Sequence, residues 1–225
     1  MGVNDCDRPG AERRVWLLVA AGSVAGVGLE LAREHVFHAT YFHFLLWNLV
    51  LAWLPALLAL RIRASFRAGG RLLPLVPLGV LWLLFLPNAP YIVTDVIHLR
   101  DVGRVSFAYD VPMLAVFGGT GLLLGFMSLY LVQSVVRERF GEGASWRFAA
   151  ATIPLTGIGV YLGRVLRWNS WDVLVRPEHR LGQLLPHVSL ASVGHGLLLS
   201  AFVAVWLALG YLCFYAFVRA QPSPA

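Results

Sequence analysis

The sequence predicts an all-α, polytopic membrane helical bundle of about six transmembrane helices, the third of them broken at Pro87 and Pro90. Three observations carry that reading. Hydrophobic residues fill 58% of the 225 positions and charged residues only 13%, with a mean hydropathy of +0.70, far from a soluble domain's averages. A hydrocarbon layer of about 30 Å takes roughly 20 apolar residues in a helix, and suitable runs recur at 15–32, 41–60, 72–93, 111–136, 146–166 and 190–218. The connections are short apart from a loop at about 167–189, which leaves no room for a separate soluble domain. The expected organisation is an amino tail at 1–14, one integral membrane domain at 15–218 and a carboxyl tail at 219–225.

In the first run, Arg13 and Arg14 precede VWLLVAAGSVAGVGLELA much as a signal peptide's basic region would. Glu30, Arg33 and Glu34 continue the stretch without a clear cleavage site, so a retained helix is expected. Glu30, Glu34 and His38 form an i, i+4, i+8 stripe that reads as a solvated helix end. The second run, 41–60, qualifies on length and apolarity.

The third run ends in LPNAPYIVTD. Pro87 lacks an amide proton and its ring collides with the carbonyl of Leu83, and Pro90 restricts Ala89, so the helix should end or kink near Leu86. Asn88 suits the N-cap of a second short helix, accepting from the Tyr91 amide. If that helix runs to about Leu99, then Tyr91, Thr94, Asp95 and His98 share one face, opposite Ile92, Val93, Val96 and Ile97. Irregular backbone at membrane depth is tolerated where protein or a wet cavity surrounds it, so LPNAP is expected to line such a cavity.

Tyr109 and Asp110 lead into the fourth run, where Pro112 suits a helix's first turn. The fifth run carries GIGVYLG, read as helix packing, and exits through Arg164 and Arg167 into RWNSWD. There Trp168 and Trp171 suit an interfacial aromatic belt, while Asn169 and Asp172, three apart, could face the Asp95 cluster.

Orientation rests on arginine, because the chain has 18 Arg and no Lys. The tails with the 61–71 and 137–147 loops hold 11, the other side 7, which places both termini in the cytoplasm by the positive-inside rule. All seven histidines then fall in or near the three outer connections, consistent with a hydrated polar concavity there. The pI near 9.9 is explained by this topology and by attraction to anionic lipids, so nucleic acid is not an expected partner and membrane lipid is.

Asp95 is the leading candidate, since an ionisable group near a span is costly and normally faces the bundle interior with a partner. Arg164 or Arg167 could pair with it as a purely structural bridge; alternatively Asp95 and His98 act as acid and base or bind metal.

LPNAPYIVTD with the nearby His98, the downstream Tyr109 and Asp110, and RWNSWD together resemble a bacterial family of membrane proteins known as domain of unknown function 1361. The resemblance covers most of the chain. It implies a multi-pass protein of the bacterial inner membrane and adds no reaction.

Several chemistries are excluded. The absence of lysine removes Schiff-base and retinal sites. Cys6 and Cys213 lie away from the outer face, EHVFH is not a zinc-protease motif, and no Walker A or GxSxG sequence occurs. Three classes remain. A metal-assisted hydrolase or transferase acting on an outer-leaflet or lipid-linked substrate would use Asp95, His98 and Asp172 as catalytic groups. Asp95, His98 and Asp172, with His195 or His43, would be ligands for a divalent metal ion such as Zn²⁺ or Mn²⁺. Asn88, Tyr91, Thr94, Tyr109, Asp110, Arg164, Arg167, Trp168, Asn169 and Trp171 would contact substrate. The others are a small transporter component and a non-catalytic accessory or assembly protein. The GxxxG pairs Gly22 with Gly26 and Gly121 with Gly125 suit internal contacts, a homo-oligomer or a membrane-protein partner.

Overall fold

The computed structural model describes residues 9–38, 40–69, 71–101, 104–165 and 190–220. The fold class is as predicted: the described residues form helices and turns, with no strand. Helix α1 spans Pro9–Phe37, α2 Phe44–Arg67, α3 Val76–Phe85, α4 Asn88–Tyr91, α5 Arg104–Phe140, α6 Glu142–Val165 and α7 Leu190–Ala220. A 3₁₀ turn, Leu73–Leu75, leads into α3, and a 3₁₀ segment, Ile92–Asp101, follows α4.

Five stretches among the described residues are long and apolar enough to cross a membrane: Gly10–Phe37, Phe44–Arg67, Leu73–Leu99, Ser106–Phe140 and Gly196–Ala220. The remaining predicted span, 146–166, coincides with α6, which has the length but is not one of the five. Arg147 and Arg164 bracket its apolar stretch.

Helix α5 is the axle of the bundle. Of its most apolar window 67% is buried, against 22 to 44% for the other four, and it packs against α1, α2, α6 and the 3₁₀ segment. Small residues allow the close approach. A Cβ at Gly26 would lie 3.3 Å from the Phe117 ring, and one at Gly125 would lie 3.2 Å from Ala89 Cβ. Gly22 faces Thr120 and Gly121 faces the Ala89 carbonyl, so both GxxxG pairs are used inside the chain. Gly141, at φ +86°, is the single residue between α5 and α6, and its positive φ is the helix-stop conformation that glycine adopts most cheaply.

The charges collect at the two ends of the bundle. At one end Arg63 donates to both Glu12 carboxylate oxygens (2.8 and 2.7 Å), Arg137 donates to Tyr215 Oη (2.7 Å), and Glu142 lies 3.9 Å from Arg219. At the other, Arg33 pairs with Asp110 at 2.6 Å and Arg164 with Asp95 at 3.0 Å. Several hydroxyl and indole groups between these ends bond locally. Ser23, Thr120 and Thr156 donate to carbonyls four residues back (2.7 to 2.9 Å), and Trp82 Nε1 donates to Ser128, whose hydroxyl donates to the Pro55 carbonyl. Internal bonding of these groups suits a lipid solvent, which offers none of its own.

Candidate functional site

The predicted interruption of the third helix lies where the prolines place it, and its hydrogen bonds explain its shape. Helix α3 ends at Phe85. The Ala89 amide bonds the Leu86 carbonyl (3.2 Å) rather than that of Phe85, and the Tyr91 amide bonds the Pro87 carbonyl (3.1 Å). The Phe85 carbonyl so released accepts from Asn88 Nδ2 at 3.0 Å. Asn88 therefore mends the break from behind instead of capping the next helix as predicted; the cap position is taken by Pro87, in helical geometry at φ −60° and ψ −23°.

The chain then tightens. The predicted α-helix to Leu99 is one α-turn followed by ten residues of 3₁₀ helix, a long run for that geometry. With three residues per turn, Asp95 and His98 eclipse one another, and Thr94 is carried away from them. Its hydroxyl donates to the Tyr91 carbonyl at 2.6 Å, and Thr94 does not line the cavity described next.

A cavity of about 580 Å³ lies between α2, α3, the interrupted segment and α6. Asn48, Asn88, Tyr91, Asp95, His98 and Arg164 form its polar part; Leu51, Val80, Leu83, Leu84 and Leu155 form its apolar part. The seat for the break is glycine: at Gly159 of α6, a Cβ would fall inside the Pro87 ring's contact distance. Asp95 is buried and both its oxygens are engaged, Oδ1 by Arg164 Nη1 (3.0 Å) and Oδ2 by Asn48 Nδ2 (2.9 Å). Arg164 Nη1 also reaches Tyr91 Oη at 3.4 Å, with the guanidinium 5.7 Å from the Tyr91 ring centre. His98 Nδ1 lies 3.2 Å from Tyr41 Oη, and its ring packs against Phe44 at 4.9 Å between centres.

The structure thus brings together Asn88, Tyr91, Asp95, His98 and Arg164, and it pairs Arg164 with Asp95. Tyr109 and Asp110 lie elsewhere, against α1: Tyr109 Oη donates to the Leu29 carbonyl (2.7 Å), and Asp110 takes Arg33 at both oxygens (2.6 and 3.3 Å). Arg167, Trp168, Asn169, Trp171, Asp172 and the side chain of His195 lie outside the described residues. Asn48 was not singled out in the sequence, although a lone amide inside FLLWNLVLAWLP is the kind of polar group that a span rarely carries without a partner. Among the described residues no three His, Cys, Asp or Glu side chains stand together as a metal-ligand set. His43 is turned to Glu34 (3.2 Å) and Glu30 (3.9 Å) on the α1 side.

The expected solvated stripe Glu30, Glu34, His38 is different in two respects. Helix α1 stops at Phe37, and His38 takes a left-handed φ of +51°. Glu30 is fully buried with no hydrogen bond to either carboxylate oxygen among the described residues. A buried acceptor left unbonded costs stability. Glu30→Gln, with the same outline and no charge, is therefore expected to leave the unfolding free energy in detergent unchanged or raise it by about 1 kcal/mol at most, read as an equal or higher thermal midpoint. A clear fall in the midpoint would mean that the carboxylate is needed.

Residues 47–215, about three quarters of the chain, match the family described as protein of unknown function (DUF1361). No curated protein and no solved structure matches. The matched stretch contains the interrupted helix, the whole of α5 and α6, and every residue that lines the cavity except Phe44, and on that match the chain belongs to the DUF1361 family.

Proposed function

We propose that this is a multi-pass protein of the bacterial inner membrane, with both termini in the cytoplasm, whose cavity opens toward the outer leaflet and takes the polar end of a membrane-embedded amphiphile for hydrolysis or group transfer. One observation supports it above the rest: a single cavity has a hydrogen-bonding wall at one end and aliphatic side chains at the other, which matches a molecule with a head and a tail. The arginine distribution supports the orientation. The opposite end of the bundle is tied by the Glu12 to Arg63 and Arg137 to Tyr215 contacts, which favours a binding site open on one side over a transport route.

In this reading Arg164 and Asn88 orient the polar group. His98 is the acid or base, since its Nε2 takes no hydrogen bond among the described residues. Asp95 is a positioning residue that holds Arg164, with Asn48 holding Asp95 in turn. A metal-assisted version would draw two ligands from Asp95 and His98 and at least one more from outside the described residues.

Asp95→Asn tests the assignment, because the amide keeps the shape and loses the charge. The variant is expected to insert and accumulate as the wild type does. It should lose most of the amphiphile that native mass spectrometry detects on the purified wild-type protein, in line with about a tenfold or greater loss of affinity for a charge-assisted site. The reading fails if Asp95→Asn does not accumulate and a second change, Arg164→Met, restores it, for then the pair only holds the helices together.

A further inference from the structure

Resting on the amphiphile reading above, we infer that the head group recognised by this cavity is a phosphate ester carried on a lipid, bound by the outward side of the Arg164 guanidinium. The ion pair in the wall is asymmetric. The Asp95 side chain is 1% exposed and the Arg164 side chain 22%, and both line the cavity, so the cation is the more open member of the pair. Arginine has five N–H donors, and the contacts to Asp95 and Tyr91 both use Nη1. Nε and Nη2 take no partner among the described residues. Two N–H groups on a planar fork fit two oxygens of one phosphate, a geometry that lysine could not offer.

The rest of the wall agrees with this. Asp95 and the Tyr91 ring hold the guanidinium in one orientation, so little side-chain freedom is lost when an anion arrives. His98, which lines the same cavity, offers a second donor through Nε2. The apolar part, from Val80 to Leu155, accommodates hydrocarbon. A phosphate without a chain would leave that surface unfilled, and a chain without a phosphate would leave the arginine fork unmatched.

The experiment uses the full-length protein in maltoside micelles, which contain no phosphate. It compares photoactivatable phosphatidylglycerol with diacylglycerol bearing the same diazirine-labelled chains, each at equal concentration. Phosphatidylglycerol is expected to label peptides containing Val80, Leu83 or Leu155 about tenfold more than diacylglycerol, the scale of a charge-assisted bidentate contact. Excess inorganic phosphate should leave that labelling unchanged, and Arg164→Gln should erase the difference between the two lipids. Equal labelling by both lipids in the wild type overturns the phosphate inference and leaves the amphiphile reading standing. Absence of cavity labelling with either lipid overturns both. Protection by inorganic phosphate at a concentration that does not disturb the micelle would assign the fork to free phosphate and overturn the lipid source. The wild-type comparison needs no variant, so the inference stays testable even where Arg164→Gln fails to fold.

Discussion

Asp110→Asn is expected to cost about 3 to 5 kcal/mol of stability, the scale of a buried ion pair stripped of one partner. The side chains of Arg33 and Asp110 are 4% and 0% exposed, with bonds of 2.6 and 3.3 Å joining the end of α1 to the start of α5. The guanidinium also lies 4.6 Å from the centre of the Phe42 ring, so it is enclosed on that side by apolar surface. An amide at position 110 strips this cation, with only 4% of its side chain exposed, of the carboxylate that takes both contacts. The measurement is the yield and unfolding midpoint of protein extracted in detergent. Changing both partners, Arg33→Met with Asp110→Leu, is expected to recover much of the loss, since neither charge of the pair then remains buried. A single variant as stable as the wild type would show that the pair carries no weight.

The other large effect is expected at Gly159. A Cβ there collides with the Pro87 ring, so Gly159→Leu must push the interrupted segment off α6 or distort α6 itself. Overpacking of this kind costs about 1 to 3 kcal/mol and occasionally more. Movement of Pro87 would also carry Asp95 away from Arg164, so binding should fall together with stability. Gly28→Leu is the matched control, because a Cβ there meets nothing within 4 Å and its effect should stay within about 0.5 kcal/mol. Equal behaviour of the two variants would mean that the break is not seated on α6.

The two glycine positions also show what the sequence could and could not convey. GIGVYLG read correctly as packing: Gly157 meets the Ser200 carbonyl on α7, and Gly159 meets Pro87. The interruption at Pro87 and Pro90 was legible because a missing amide and a ring clash are properties of proline wherever it stands. The switch to 3₁₀ helix was not, since α and 3₁₀ turns differ in which carbonyl an amide chooses and not in residue type. That choice decided Thr94, which an α-helix would have set on the face of Tyr91 and His98. Asp110 was assigned to the wrong cluster for a related reason: its place near the start of α5 gives depth along the bundle but not the direction in which the side chain leaves the helix. Asn48 went unnoticed because its partner lies 47 residues away, joined only by the fold. Arg164, by contrast, was named as a candidate partner because a lone acid near a span narrows the search to the few cations at the same depth.

The ion pairs and the Arg137 to Tyr215 hydrogen bond at the two ends of the bundle have a mechanical consequence. They join different helices at both rims, α1 to α2 and α5 to α7 at one, α1 to α5 and the interrupted helix to α6 at the other. Sliding any of these helices by one turn, about 5.4 Å, would unlatch it at the rim and expose charge to hydrocarbon. The distance between the rims is thus a rigid ruler, and a bilayer of another thickness has to dimple or swell around the protein to meet it.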